Sequence, residues 1–240
     1  MNYYAGKNSF VGSYLIKSGG YVGLDRSDFY EILNDPNYYL HNSSDTLFYG
    51  FVSYSNDTMV SEIVNTTLLK KIHSRNLFQK IIYISSIDTL NKKSCSTYLD
   101  NKRIAECYAV ENQLSVLRLS YPIHYSLPKE RMLRRIFEKL MRNEIVELYD
   151  FRVRLTPIKL IADYISNKNL SSEIINLTPK NTIYLSDTVR IMKDLIGSRS
   201  KIKIQEKNDL DPFLKFDHQL GNMDYNFEIS DLTKIWLSEI

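Results

Sequence analysis

The chain is predicted to be an α/β protein: a parallel sheet with helices on both faces, followed by a smaller α+β part. Three observations predict it. Short apolar runs alternate with segments of helical period, a cluster of glycines follows the first run, and the texture changes after Pro122. The 240 residues fit one domain with an appendage, and 43% hydrophobic with 25% charged residues is a composition that can bury a core. A net charge of +3 is too small to argue for a nucleic-acid surface. No apolar run approaches the ~20 residues of a membrane span, and MNYYAGKNSF lacks the core of a signal peptide. Cys95 and Cys107 provide neither a disulfide framework nor a metal quartet, so a cytoplasmic setting and no metal are expected.

In chain order, residues 1–5 precede Gly6-Lys-Asn-Ser-Phe-Val-Gly12, and Ser13–Ile16 is an apolar helical turn. Gly19, Gly20 and Gly23 accompany a short extended run, Tyr21–Leu24, which stops at Asp25-Arg26: a compressed strand–helix–strand unit. Asp45 opens TLFYGFVS, whose continuous apolar character suits a strand covered on both faces. Met59, Ile63, Thr67 and Ile72 share one face of a helix over 57–75. KIIYISS (80–86) reads as a buried strand, 98–112 as a helix, and SVLRLSY (115–121) as a further strand. Beyond a soft boundary near 122, residues 128–143 form an amphipathic helix with a basic outer face. Another helix is expected from Thr156-Pro157, with threonine as cap and proline in the first turn. A third runs from Ser186 to about Ile196 and closes at Gly197, with strands expected at 144–149 and 173–177.

Two groups of residues can carry chemistry. Gly6-x-x-Ser9-x-x-Gly12 lies between a strand and a helix, where glycine allows close backbone approach and the helix N-terminus offers N–H groups to phosphate. Asp25 ends the next strand, where it either accepts from ribose hydroxyls or caps a helix; Arg26 beside it could face a 2′-phosphate. The second group is Tyr98-x-x-x-Lys102, whose spacing puts phenol and ammonium on one helix face, and a nearby ammonium stabilises phenolate. Its order is the informative part: a strand ending in Ser85-Ser86, then this pair, then a strand ending near Pro122.

These segments resemble the short-chain dehydrogenase/reductase superfamily, in its extended branch that acts on nucleotide-linked sugars. GKNSFVGSYL (6–15) resembles that branch's GxxGFIGxxL opening, YISSIDTL its YISSxxVY strand end, and STYLDNKRIAE (96–106) its Tyr/Lys helix. VNTTLL (64–69) is loosely similar to a further helix motif, and VLRLSYPIHYS and INLTPKNTIYLSD resemble later segments. The resemblance implies a Rossmann-type doubly wound sheet over residues 1–122 and a small α+β substrate-binding part over 123–240. It implies NAD or NADP, held by Gly6, Ser9, Phe10, Val11 and Gly12, by Asp25 and Arg26, by Tyr98 and Lys102, and bordered by Pro122. Ser86, Tyr98 and Lys102 would be the catalytic set on a nucleotide sugar, in reduction or epimerisation before dehydration. The alternative is a non-catalytic dinucleotide-binding or scaffold member. Ser9 stands where the pattern has glycine, and only eleven residues separate Ser86 from Tyr98. Related enzymes often pair through two helices, so a homodimer is expected through 57–75 and 98–112, using Leu68, Leu99, Ile104, Tyr108 and Val110 among others.

Overall fold

The computed structural model describes residues 1–35, 45–51, 62–91, 96–167, 170, 173–208 and 216–239. Strand β1 (Asn2–Ala5) leads through the glycine turn into α1 (Phe10–Lys17), which Ser9 caps by accepting from the Gly12 N–H at 3.1 Å. Strand β2 (Tyr21–Leu24) is followed at once by α2 (Arg26–Asn34), a helix not expected from its composition. Its start was nevertheless written in Asp25-x-x-Asp28, which closes a capping box: each carboxylate accepts from the other residue's backbone N–H. Strand β3 (Thr46–Tyr49) comes next, and residues 57–61 of the expected helix lie outside the described residues. A π-helical turn (Ile63–Thr67) runs into α3 (Leu68–Ser74). Strand β4 (Lys80–Ser86) ends in a 3-10 turn (Ile87–Leu90), and α4 (Thr97–Glu111) starts at the Ser96 cap. The next strand, β5 (Ser115–Leu119), stops short of the expected 121.

The later elements are β6 (Tyr121–Ile123), α5 (Met132–Met141), β7 (Val146–Val153), β8 (Leu155–Pro157) and α6 (Ile158–Asn167). They continue with β9 (Ile174–Leu177), β10 (Ile183–Tyr184), α7 (Leu185–Ile196), β11 (Ile202–Asn208) and α8 (Tyr225–Ser238). Thr156 is therefore in a strand and not a helix cap. Strand β8 pairs in parallel with β6, and the Thr156 hydroxyl meets that of Ser120, so the helix begins two residues later. Strand β11 and helix α8 were not expected, although Asp224 caps α8 by accepting from the Phe227 N–H. Helix α7 opens on Asp150, a buried carboxylate of β7 that accepts from the Ser186 N–H and hydroxyl, and it ends at Gly197 with φ +69°.

Two compact units result. One comprises Met1–Leu119 with Ala162–Leu177, the other Ser120–Ile161 with Thr178–Ile240. The first unit thus takes back a segment that a simple cut at residue 122 assigns to the later part, because β9 pairs with β5 at the sheet edge. Its six-stranded parallel sheet has the order β2-β1-β3-β4-β5-β9, a doubly wound arrangement whose strand order reverses between β1 and β3. Leu69 and Ile72 of α3 and Ala105 and Ala109 of α4 pack with Leu47, Tyr49 and Tyr83 of the sheet in one buried cluster. The second unit holds a three-stranded sheet, β10-β7-β11, and the β6-β8 pair. Trp236 of α8 packs at a tilt against Phe137 of α5, with ring centres 5.2 Å apart, and its indole donates to the Tyr125 carbonyl. Among the described residues no helix is long and apolar enough to cross a membrane.

Candidate active site

In a doubly wound sheet, ligands sit outside the strand ends where the order reverses. Here two glycine loops meet at that point. Gly6 follows β1 with φ +103°, and a Cβ on it would lie 3.2 Å from the Gly50 carbonyl oxygen, which follows β3. The Gly6 and Lys7 N–H groups both donate to the Leu24 carbonyl, which closes the turn over β2. The first-turn N–H groups of α1 at Phe10 and Val11 have no intrahelical acceptors. That is the donor set a pyrophosphate needs.

Ser9 and Gly12 also have structural roles in the turn. Ser9 has φ −73°, so a side chain is tolerated there, and its hydroxyl caps α1 and lies close enough to the Tyr4 phenol to favour its ionisation. Tyr4 is fully buried, and that burial pushes its phenol well above the ordinary tyrosine range. A Cβ on Gly12 would lie 2.4 Å from the Gly6 carbonyl oxygen and 2.7 Å from the Tyr4 ring. Gly12 thus allows helix to lie against strand, the packing role, and a larger residue there would collide with the protein before any cofactor. Gly50 does the same on the other side of the ring, where a Cβ would lie 2.3 Å from the Tyr4 phenolic oxygen. Neither Tyr4 nor Gly50 stood out in the sequence, because their significance is contact between two neighbouring strands that are far apart in the chain.

Asp25 is the cap of α2. One carboxylate oxygen accepts from the Asp28 N–H at 3.1 Å and the Ser27 hydroxyl at 2.5 Å; the other pairs with the Lys7 ammonium at 2.6 Å. The Lys7 ammonium, followed by the Ser27 hydroxyl and the Asp28 N–H, holds the Asp25 carboxyl well below the usual carboxylate range. Counting lone pairs, one remains on the Lys7-facing oxygen for a further donor. Lys7, which the motif treats as a variable position, thus belongs to this group; Arg26 is exposed beside it. Pro122 lies in β6, in the second unit.

The Tyr98 and Lys102 side chains meet the sheet at β4. Lys102 is buried; its ammonium donates to the Ile84 carbonyl at 2.7 Å and sits 4.7 Å from the centre of the Tyr83 ring. Burial pulls its pKa down to about 7, against which the Glu106 carboxylate pushes up. Tyr98 is half-buried and lies close enough to Tyr83 to act on its ionisation. Ser86, two residues beyond Ile84, caps the 3-10 turn: its hydroxyl accepts from the Asp88 N–H and donates to the Asp88 carboxylate, both at 3.2 Å. The C-terminal half of β4 thus carries Ser86 and holds the Lys102 ammonium. A buried carboxylate, Glu106, and its partner Arg118 complete the group and were not assigned a role from sequence. The i, i+4 spacing of Lys102 and Glu106 was the available signal.

No protein-family model and no curated protein sequence matches the chain. Solved structures match it along its whole length. RMD from Pseudomonas aeruginosa, complexed with NADPH, superposes with a TM-score of 0.75 at 12% identity, covering 99% of each chain. A UDP-glucuronic acid 4-epimerase variant from Bacillus cereus, with NAD and a fluorinated substrate analogue, gives 0.73 at 12% identity over 100% of this chain and 99% of that one. The UDP-N-acetylglucosamine 4-epimerase from Methanobrevibacter ruminantium M1 gives 0.70 at 16%, over 100% and 98%. This chain shares their Rossmann-type fold.

Proposed function

We propose that the chain is an NAD(P)-dependent enzyme that reduces or epimerises a nucleotide-linked sugar. The observation that carries this reading is that Lys102 binds the Ile84 carbonyl of β4, the strand that ends in Ser86, in the same parallel sheet as a glycine turn at its switch point. The residues present fit a dinucleotide. Two N–H groups at the start of α1 suit the pyrophosphate, and the cradle between Gly6 and Gly50 has no Cβ to fill it. Asp25 retains one lone pair for a ribose hydroxyl, while Lys7 and Arg26 are cations at the position where a 2′-phosphate would sit. A nicotinamide held here would supply a hydride acceptor or donor.

The chain's own groups do the proton work. Tyr98 moves a proton at the reacting sugar oxygen. Lys102, one turn away, stabilises the phenolate when protonated and holds the nicotinamide ribose. The Ser86 hydroxyl donates to the same sugar oxygen as charge develops there. For that it must turn from Asp88, its acceptor in the free protein. The second unit is read as the part that binds the nucleotide sugar, and the site as one that works in a homodimer. NADPH in one neighbour and NAD in another support the cofactor class.

The non-catalytic reading has one observation in its favour: Ser86, Asp25 and Lys102 are all engaged with protein groups. The deciding experiment is fluorescence titration with NADH and NADPH, then turnover on a panel of nucleotide sugars and their 4-keto forms. Binding with turnover is expected. Binding without turnover would leave a dinucleotide-binding protein, and no binding would remove the enzyme reading.

A further inference from the structure

Glu106 lies one turn after Lys102 on α4, only 8% exposed, and is used by nothing in the chemistry above. Its carboxylate takes two N–H groups of Arg118 on β5, the Ser85 hydroxyl on β4 at 2.7 Å, and the Thr89 hydroxyl of the 3-10 turn at 3.1 Å. Ser85 and Thr89 bracket Ser86, and the Thr89 hydroxyl also lies 2.8 Å from the Ser86 carbonyl. Arg118 continues to Asn176 on β9 at 3.3 Å. From the same helix, Arg103 donates to the Thr89 and Asn91 carbonyls, at 3.1 and 2.8 Å. We propose that Glu106 is the positioning residue of this site: it fastens the strand end that bears Ser86 to the helix that bears Tyr98 and Lys102. This rests on the reading of those three residues as one working set.

A buried ion pair is weak evidence for stability, since desolvation offsets much of its attraction. A wholly apolar filling would hold α4 on the sheet equally well. Only a carboxylate can accept from both sides of Ser86 and bias the neighbouring ammonium. The titratable and polar groups around Lys102 are Tyr98 and Glu106, one turn before and after it on its own helix, and, on β4, the Tyr83 ring and the Ile84 carbonyl; Arg118 acts on it through Glu106. Removing the Glu106 charge leaves Arg118 uncompensated, so Lys102 should lose its proton at a lower pH. For a group titrating near pH 7, a shift of one unit lowers the charged fraction at that pH about fivefold.

The test compares wild type, Glu106→Gln and Glu106→Asp. Protein labelled with ¹³C at the lysine ε-carbon is titrated by NMR without cofactor, with Lys102→Met assigning the signal; NADH and NADPH affinities are measured alongside. Glu106→Gln should move the Lys102 midpoint down and weaken cofactor binding several-fold at neutral pH. Glu106→Asp keeps the charge but withdraws it by one methylene, so its midpoint should stay near that of wild type while turnover falls. An unmoved midpoint in Glu106→Gln, or loss of the fold in both variants, would make Glu106 a packing residue and overturn the proposal. Should wild type bind neither cofactor, the enzyme reading fails, and the NMR midpoint alone still decides the role of Glu106.

Discussion

Tyr98 and Lys102 are one turn apart on a helix, yet the structure gives them unequal surroundings. Tyr98 is half-buried, whereas the Lys102 ammonium is fully enclosed and bound to a strand carbonyl. Tyr98→Phe removes one oxygen, so cofactor affinity should survive while turnover falls on the order of 10²–10⁴-fold. Equal turnover in the two proteins would take Tyr98 out of the mechanism. Lys102 also makes a prediction about the free protein that needs no substrate. Its pKa in the fold is about 7, below the 10.5 of an ordinary lysine, so between those values the unfolded chain binds more protons than the folded one. Stability contributed by this residue therefore rises with pH across that window. Urea unfolding at pH 7 and pH 9 should show this rise in wild type and a flatter profile in Lys102→Met. Equal slopes would mean that the ammonium is not desolvated as described.

At the scale of elements, the turn between β1 and α1 is held by side chains that its glycine spacing does not disclose. The Ser9 hydroxyl accepts from the Gly12 N–H and lies beside the buried Tyr4 phenol. Replacing an N-cap serine by glycine costs only a few tenths of a kcal/mol, but a buried hydroxyl left unpaired costs about 1–3 kcal/mol. Ser9→Gly should therefore destabilise, and adding Tyr4→Phe should recover most of the loss; additive effects in thermal unfolding would deny the contact. Gly12→Val meets the Gly6 carbonyl and the Tyr4 ring, so it should lower stability by about 1–3 kcal/mol or more as overpacking. Loss of cofactor binding in that variant would follow from a displaced turn. A wild-type melting temperature for Gly12→Val would contradict the close approach of helix and strand.

For the whole molecule, the first question is assembly. Of the residues expected at a dimer face, Leu68 and Leu99 are buried in their own unit, and Tyr108 bonds His73 at 2.8 Å. Ile104 and Val110 are 50% and 45% exposed on α4. Under the homodimer reading, light scattering should give twice 28.1 kDa, and Ile104→Lys with Val110→Lys should return the monomer. A monomeric wild type would remove it.

What the sequence by itself determined is the order and type of the local pieces. Apolar runs of strand length and the Tyr98–Lys102 spacing act within a few residues, so they can be read in one dimension. The stop of α7 at Gly197 is legible for the same reason: a left-handed φ is a property of one residue. Only the tertiary structure decided that β9 returns to the edge of the first sheet and that Thr156 joins a strand. It also decided that Lys7 neutralises Asp25 across the turn, and that Glu106 meets Ser85, Thr89 and Arg118. Each of these depends on which strands become neighbours and on how completely a charge is withdrawn from water. Those are energies set by groups far apart in the chain, and no local pattern records them.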